Sequence, residues 1–126
     1  MNAQTLAHRA YTQTAASART DRDNEYRLIA TISHRLREAA QDKDPRAFPK
    51  LAAALNDNLR LWTQLAVDVA HPENALPQET RASIFFLAEF VQQHTPKVLA
   101  REATVVTLLQ INAAILKGLA GKGATG

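Results

Sequence analysis

Cysteine is missing from all 126 residues, which removes disulfides, thiolate catalysis and cysteine-ligated zinc together. A cysteine-free chain suits a reducing compartment. Nor does any apolar run approach the ~20 residues a membrane-spanning helix requires. The opening MNAQTLAHRAYTQTAAS has no continuous apolar core of the secretion-signal kind. The expectation is a cytoplasmic protein without membrane partners. Glycine is scarce: the four present all fall between Gly118 and Gly126, so no glycine-rich phosphate loop exists. Any excess of one charge is small too. The formal balance is +3 with lysines and arginines scattered, and counterion-driven nucleic-acid binding usually uses a dense basic stripe. Direct nucleic-acid contact is therefore not expected.

Catalytic constellations are equally thin. His8, His34, His71 and His94 fall on different expected elements, with no HExxH pair and no Glu-x-x-His motif. Ser17, Ser33 and Ser83 are the only serines, and none sits in a nucleophile-elbow sequence. His34 and Glu38, one helical turn apart, read as a surface pair. Asp21/Asp23 and Asp42/Asp44 lie at helix junctions, where capping explains them better than acid–base work. No catalytic, cofactor-binding or metal residue is assigned, and the chain reads as a non-enzyme without cofactor.

What is present is helix. Alanine and leucine are abundant, and helical periodicity absorbs the short runs Val105–Val106 and Phe85–Phe86. Residues 1–19 permit a light N-terminal helix, docked weakly or mobile, with only Leu6 and Tyr11 as sizeable apolar groups. Thr20, Asp21 and Asp23 make a cap for a second helix through Tyr26, Leu28, Ile29, Ile32 and Leu36 to about Ala40. After a polar break and a loose turn at Pro45–Phe48, a third helix starts near Pro49 and reaches Ala70. Leu59, Trp62, Leu65, Ala66 and Val69 share one of its faces.

The loop His71–Leu76 follows, and Pro77 stands where a helix takes its first residue. The fourth helix carries Ile84, Leu87, Ala88, Val91 and Thr95 on one face, and Pro96 should kink or end it, leaving at most one turn to Leu99. A last helix, about Glu102–Leu119, stops at Gly118–Gly121 and leaves 120–126 as a disordered tail. The fold class is all-α: a single-domain bundle over 20–119 with four main helices and the lighter first one.

Two kinds of residue sit oddly on these stripes. Asn58 and Asn112 interrupt otherwise apolar seams. A buried amide must be hydrogen-bonded or costs a few kcal/mol, so these residues either fix helix register or bond a partner's backbone. Phe85, Phe86 and Phe90 crowd the fourth helix, with Phe86 and Phe90 off its main stripe. They either bury a central helix on a second side or form a surface for an incoming amphipathic helix.

Taken in order, Glu25-Tyr26-Arg27-Leu28, Leu61-Trp62, Pro72-x-Asn74-x-Leu76-Pro77, His94-Thr95 and Ile111-Asn112-x-x-Ile115-x-x-Gly118-Leu119 resemble the flagellar biosynthesis regulator family FlaF of alphaproteobacteria. The likeness runs from about Thr20 to Leu119, and Tyr26, Asn58, Trp62, Pro77 and Asn112 serve as its structural signature. Phe90 departs from it, since many members would carry tryptophan there. The resemblance implies a cytoplasmic helical protein that binds flagellin as a chaperone-like factor, promotes its synthesis and export, and works opposite the translational regulator FlbT.

On this reading a flagellin segment packs into a groove near Phe86 and Phe90, with Leu6 and Tyr11 of the first helix also in contact or shielding it. FlbT is a second possible partner, and the chain is expected to be a monomer or weak oligomer. One rival is a post-transcriptional regulator acting through RNA or FlbT. Direct RNA binding would need Arg35, Arg37, Arg46, Arg60 and Arg81 on one face. A second rival satisfies the stripe by self-association.

Overall fold

A stripe at three- and four-residue steps builds the first helix. Ile29, Ile32, Leu36 and Ala39 are buried along α1, residues 24–41. The structure, a computed structural model, describes residues 24–125, with side chains as far as Gly118. The helix expected over 1–19, with Leu6 and Tyr11, and the Thr20–Asp23 cap lie outside these residues. Tyr26 and Leu28, expected on the buried stripe, are instead exposed. Leu28 stands one residue, about 100°, off the line through Ile29 and Ile32, and Tyr26 occupies the outermost turn of that line.

The break after α1 is a chain of caps. The Asp42 carboxylate accepts from the Asp44 N–H (3.1 Å), and the Asp44 carboxylate accepts from the Arg46 N–H (3.0 Å). Pro45–Ala47 then form one 3₁₀ turn, and α2 runs Phe48–Ala70. Its inner face buries Ala54, Leu55, Asn58, Leu61, Trp62 and Val69. Leu59, Leu65 and Ala66, expected beside Trp62, pack against this core only in part.

At its far end the last carbonyls of α2 have no intrahelical donors, and the following loop and the first turn of the next helix supply them. Asn74 Nδ2 donates to the Asp68 carbonyl (2.9 Å), Arg81 Nε to the Val69 carbonyl (2.9 Å) and Arg81 Nη2 to the His71 carbonyl (3.0 Å). The Asn74 side-chain oxygen meanwhile accepts from the Leu76 N–H (3.0 Å). α3 spans Gln78–Leu99. Pro77, expected as its first residue, is the cap instead, because its ψ of 149° keeps it extended.

Pro96 does not end α3, which continues the one turn to Leu99. Beyond it the Glu102 N–H donates to the Lys97 carbonyl (2.8 Å) and the Arg101 N–H to the Val98 carbonyl (3.0 Å). That is a Schellman closure, and it places Arg101 at φ 63°. The same closure corrects the expected start of the last helix. The Glu102 and Ala103 N–H groups both turn back to close α3 on Lys97. The Thr104 hydroxyl then accepts from the Val106 N–H (3.4 Å) and the Leu109 N–H reaches the Val105 carbonyl (3.0 Å), so α4 begins at Val106 and runs to Thr125. The expected stop at Gly118–Gly121 is also corrected, since the helix runs through it. No described glycine has positive φ, and a Cβ at Gly118 would meet nothing within 4 Å. These glycines continue the helix at some cost in propensity rather than capping it.

Short connections join the four helices around one core, with α2 and α3 the closely packed pair, giving a four-helix bundle without strands among the described residues. Leu36, Leu55, Trp62, Val91 and Leu108 are its innermost apolar side chains, drawn from every helix.

Candidate functional site

Closing α2 onto α3 leaves an open groove along the hairpin's outer side. Val69 and Ala70 form one wall, Ala82, Phe85 and Phe86 the other, and Gln78, Arg81 and Glu89 edge it, enclosing about 460 Å³. The groove exists because α3 has two apolar faces. Ala88, Val91, Thr95 and Val98 take the inward one, and Phe85 and Phe86 are left outside it. Phe86 is 69 % exposed and Phe85 44 %. Phe85 and Phe86 together present aromatic area to water, which makes this face a candidate interaction surface. Arg81 is fixed here by its bonds to the α2 carbonyls, so one wall of the groove is held to the other by the clamp that builds the hairpin.

Phe90, one helical turn beyond Phe86, behaves differently from it. It is half-buried and stacks on His94, with ring centroids 5.1 Å apart and planes 19° from parallel. His94 Nε2 lies 3.2 Å from the Thr104 carbonyl, so this pair ties α3 to the loop before α4. The structure thus does not place Phe86 and Phe90 as equals on one surface: only Phe86 lines the groove. Phe85, expected as one more crowded aromatic, joins it there. Leu6 and Tyr11 lie outside the described residues.

The two asparagines meet in the interior. Asn112 on α4 donates one Nδ2 hydrogen to Ser33 Oγ on α1 (3.0 Å) and the other to Asn58 Oδ1 on α2 (2.7 Å). Its Oδ1 accepts from Trp62 Nε1 (2.8 Å). All four residues are buried, Trp62, Asn58 and Asn112 completely. Asn112 thereby specifies how three helices sit against one another, which is the register role of a buried amide. Asn58 Nδ2 has no hydrogen-bond partner among the described residues. Ser33 was missed as a member, although it lies four residues after Ile29 and three before Leu36, on the buried face.

Other expectations fall out by location. His34 and Glu38 pair at 3.6 Å on an exposed face. His71 caps α2 and its Nδ1 accepts from the Glu73 N–H (3.1 Å). The five arginines needed for an RNA face are dispersed. Arg46 pairs with Asp44 at 3.1 Å, Arg81 clamps the hairpin, Arg35 and Arg60 line a cleft between α1 and α2, and Arg37 stands at the other end of the hairpin from the Phe86 groove. Among the described residues no three histidines, cysteines or carboxylates gather as a metal site, and no helix is long and apolar enough to cross a membrane.

The architecture defines a small all-α bundle, registered by buried amides and carrying phenylalanine on its outer side. The chain belongs to the family of the flagellar protein FlaF, whose model matches residues 7–119. No curated protein and no solved structure matches it.

Proposed function

We propose that this chain is a flagellin-binding, chaperone-like regulator, and that a terminal amphipathic helix of unpolymerised flagellin packs into the α2–α3 groove against Phe86 and Phe85. The observation that carries the reading is the 69 % exposure of Phe86 beside an apolar groove, in a member of a flagellar family. Covering the helices by which flagellin polymerises would hold it unassembled until export. FlbT would use the same or an adjacent face. The RNA alternative draws no support from the arginines, which are dispersed over separate places.

The test is binding of monomeric flagellin to the full chain by calorimetry. Burying one phenylalanine contributes about 2 kcal/mol, so Phe86→Asp should weaken binding at least about 10-fold while the far-ultraviolet spectrum stays native. Full retention of flagellin binding by that variant sinks the site. Steep loss of affinity with salt, in place of loss with Phe86, would instead favour a charged partner.

A further inference from the structure

A second groove lies at the other end of the α2–α3 hairpin, where α1 ends and α4 begins. Leu51, Val98, Val105 and Leu109 line it, and Arg37 and Arg101 stand at its edge, around about 580 Å³. Val106, on the same wall, keeps 53 % of its surface exposed. We infer that this groove is a docking surface for an acidic amphipathic segment of another protein, its apolar side chains on the groove floor and its carboxylates on Arg37 and Arg101.

Three observations converge on that occupant. No carboxylate lines the groove, and neither guanidinium has an ion pair or hydrogen bond among the described residues. The acids around it are placed elsewhere: Glu38 pairs with His34, Asp42 and Asp44 face the adjoining recess that shares Arg101, Asp44 is committed to Arg46, and Glu102, next to Arg101 in the chain, does not line the groove.

The second observation is the backbone of Arg101. Its φ of 63° is a position where glycine is the usual residue, yet the chain keeps a long cation there. The guanidinium is held 4.9 Å from the Phe48 ring centroid, a cation–π contact that fixes its direction without consuming its donors. A left-handed non-glycine residue whose side chain is aimed and unpaired points to recognition.

The third is charge. Residues 1–23 hold Arg9, Arg19 and Arg22 against Asp21 and Asp23, and residues 119–126 hold Lys122 and no acid. Neither end of this chain complements a basic groove, and a second copy carries the same +3. An acidic segment from a different protein does complement it, and its carboxylates would meet guanidiniums suited to bidentate pairing. The two readings are independent, because this groove is separate from the Phe86 groove and its recognition rests on charge, whereas that of the Phe86 groove rests on exposed phenylalanine.

The probe is a fluorescein-labelled amphipathic helical peptide with leucine at every third or fourth position and glutamate between, set against the same peptide with lysine for glutamate. Anisotropy with the full chain should show the glutamate peptide binding at least about 10-fold tighter, with the preference shrinking as salt rises. Arg37→Glu should remove that preference. Arg101→Gly should weaken the glutamate peptide similarly while melting no lower than the parent, since glycine relieves the left-handed backbone. Phe86→Asp should leave peptide affinity unchanged, which separates this groove from the flagellin site. Equal affinity for both peptides, unchanged binding by Arg101→Gly, or loss of binding in Phe86→Asp would overturn the assignment. So would phosphatidylglycerol vesicles binding the full chain while the glutamate peptide does not.

Discussion

The interior of this bundle and the outer side of α3 reverse the usual placement of polar and apolar groups. Inside, Ser33, Asn58 and Asn112 stand where leucine would pack, and they are buried with Trp62. Outside, Phe85 and Phe86 stand where glutamate or lysine would serve. The two reversals act on different links of the chain from sequence to function. The interior amides contribute direction: each bond is satisfied in one helix register only, whereas leucines would tolerate a slip. The outer phenylalanines contribute less to the free protein, since much of their area, most of it on Phe86, is still in water. They become favourable only when something covers them.

The contrast breaks most readily at Asn112. Asn112→Ala removes an acceptor from the Trp62 N–H and both donors from Ser33 and Asn58, leaving buried polar groups unmatched. The expected loss is about 3 kcal/mol, a fall in melting temperature on the order of 12 °C by thermal circular dichroism. A fall within about 0.5 kcal/mol, the range of an ordinary surface change, would mean the network is decorative. Asn58→Leu sharpens the point. It deletes an amide whose Nδ2 is already unpaired, in exchange for leaving one Asn112 hydrogen without its acceptor. The two costs are of one kind, so urea unfolding should place this variant within about 1 kcal/mol of the parent.

On the outside, Phe86→Asp should shift stability by less than about 0.5 kcal/mol, measured in the same urea series. A larger loss would show that Phe86 supports the fold rather than awaiting a partner. The smallest effect is expected from an exposed cap. The Arg46 side chain, and then its backbone N–H, hold the Asp44 carboxyl below its ordinary value of 3.8. A depressed folded value means the contribution is whole above that ordinary value and fades as the pH falls through the folded one. The Arg46 amide resonance should therefore stay put from about pH 7 to about pH 5 and move only in stronger acid. Movement already near neutrality would remove the Asp44 cap as its cause.

Much of this architecture was legible because it repeats locally. The stripes of α2 and α3, the Asp42–Asp44 capping and the surface pairing of His34 with Glu38 follow from spacing within a few residues. Boundaries set by distant or alternative backbone bonds were less legible. Glu102 carries no mark that its N–H will turn back to Lys97, so the start of α4 was misplaced. Gly118 and Gly121 read as a stop because glycine favours left-handed caps, yet here the chain stays helical through them. For the candidate site, sequence singled out Phe86 as off the stripe. It gave Phe90 the same standing because a period alone does not reveal that His94 will stack on one ring and not the other. The left-handed Arg101 left no sequence signal of any kind.

The hydrogen bond from Asn112 to Ser33 joins residues 79 apart in the chain. A ribosome releases α1, α2 and α3 before Asn112 emerges. Until then the Trp62 N–H, the Ser33 hydroxyl and the Asn58 side-chain oxygen lack the partner that Asn112 gives them in the folded bundle. Synthesis of this protein therefore has a closing event: the final helix brings one amide that aligns the two helices made first.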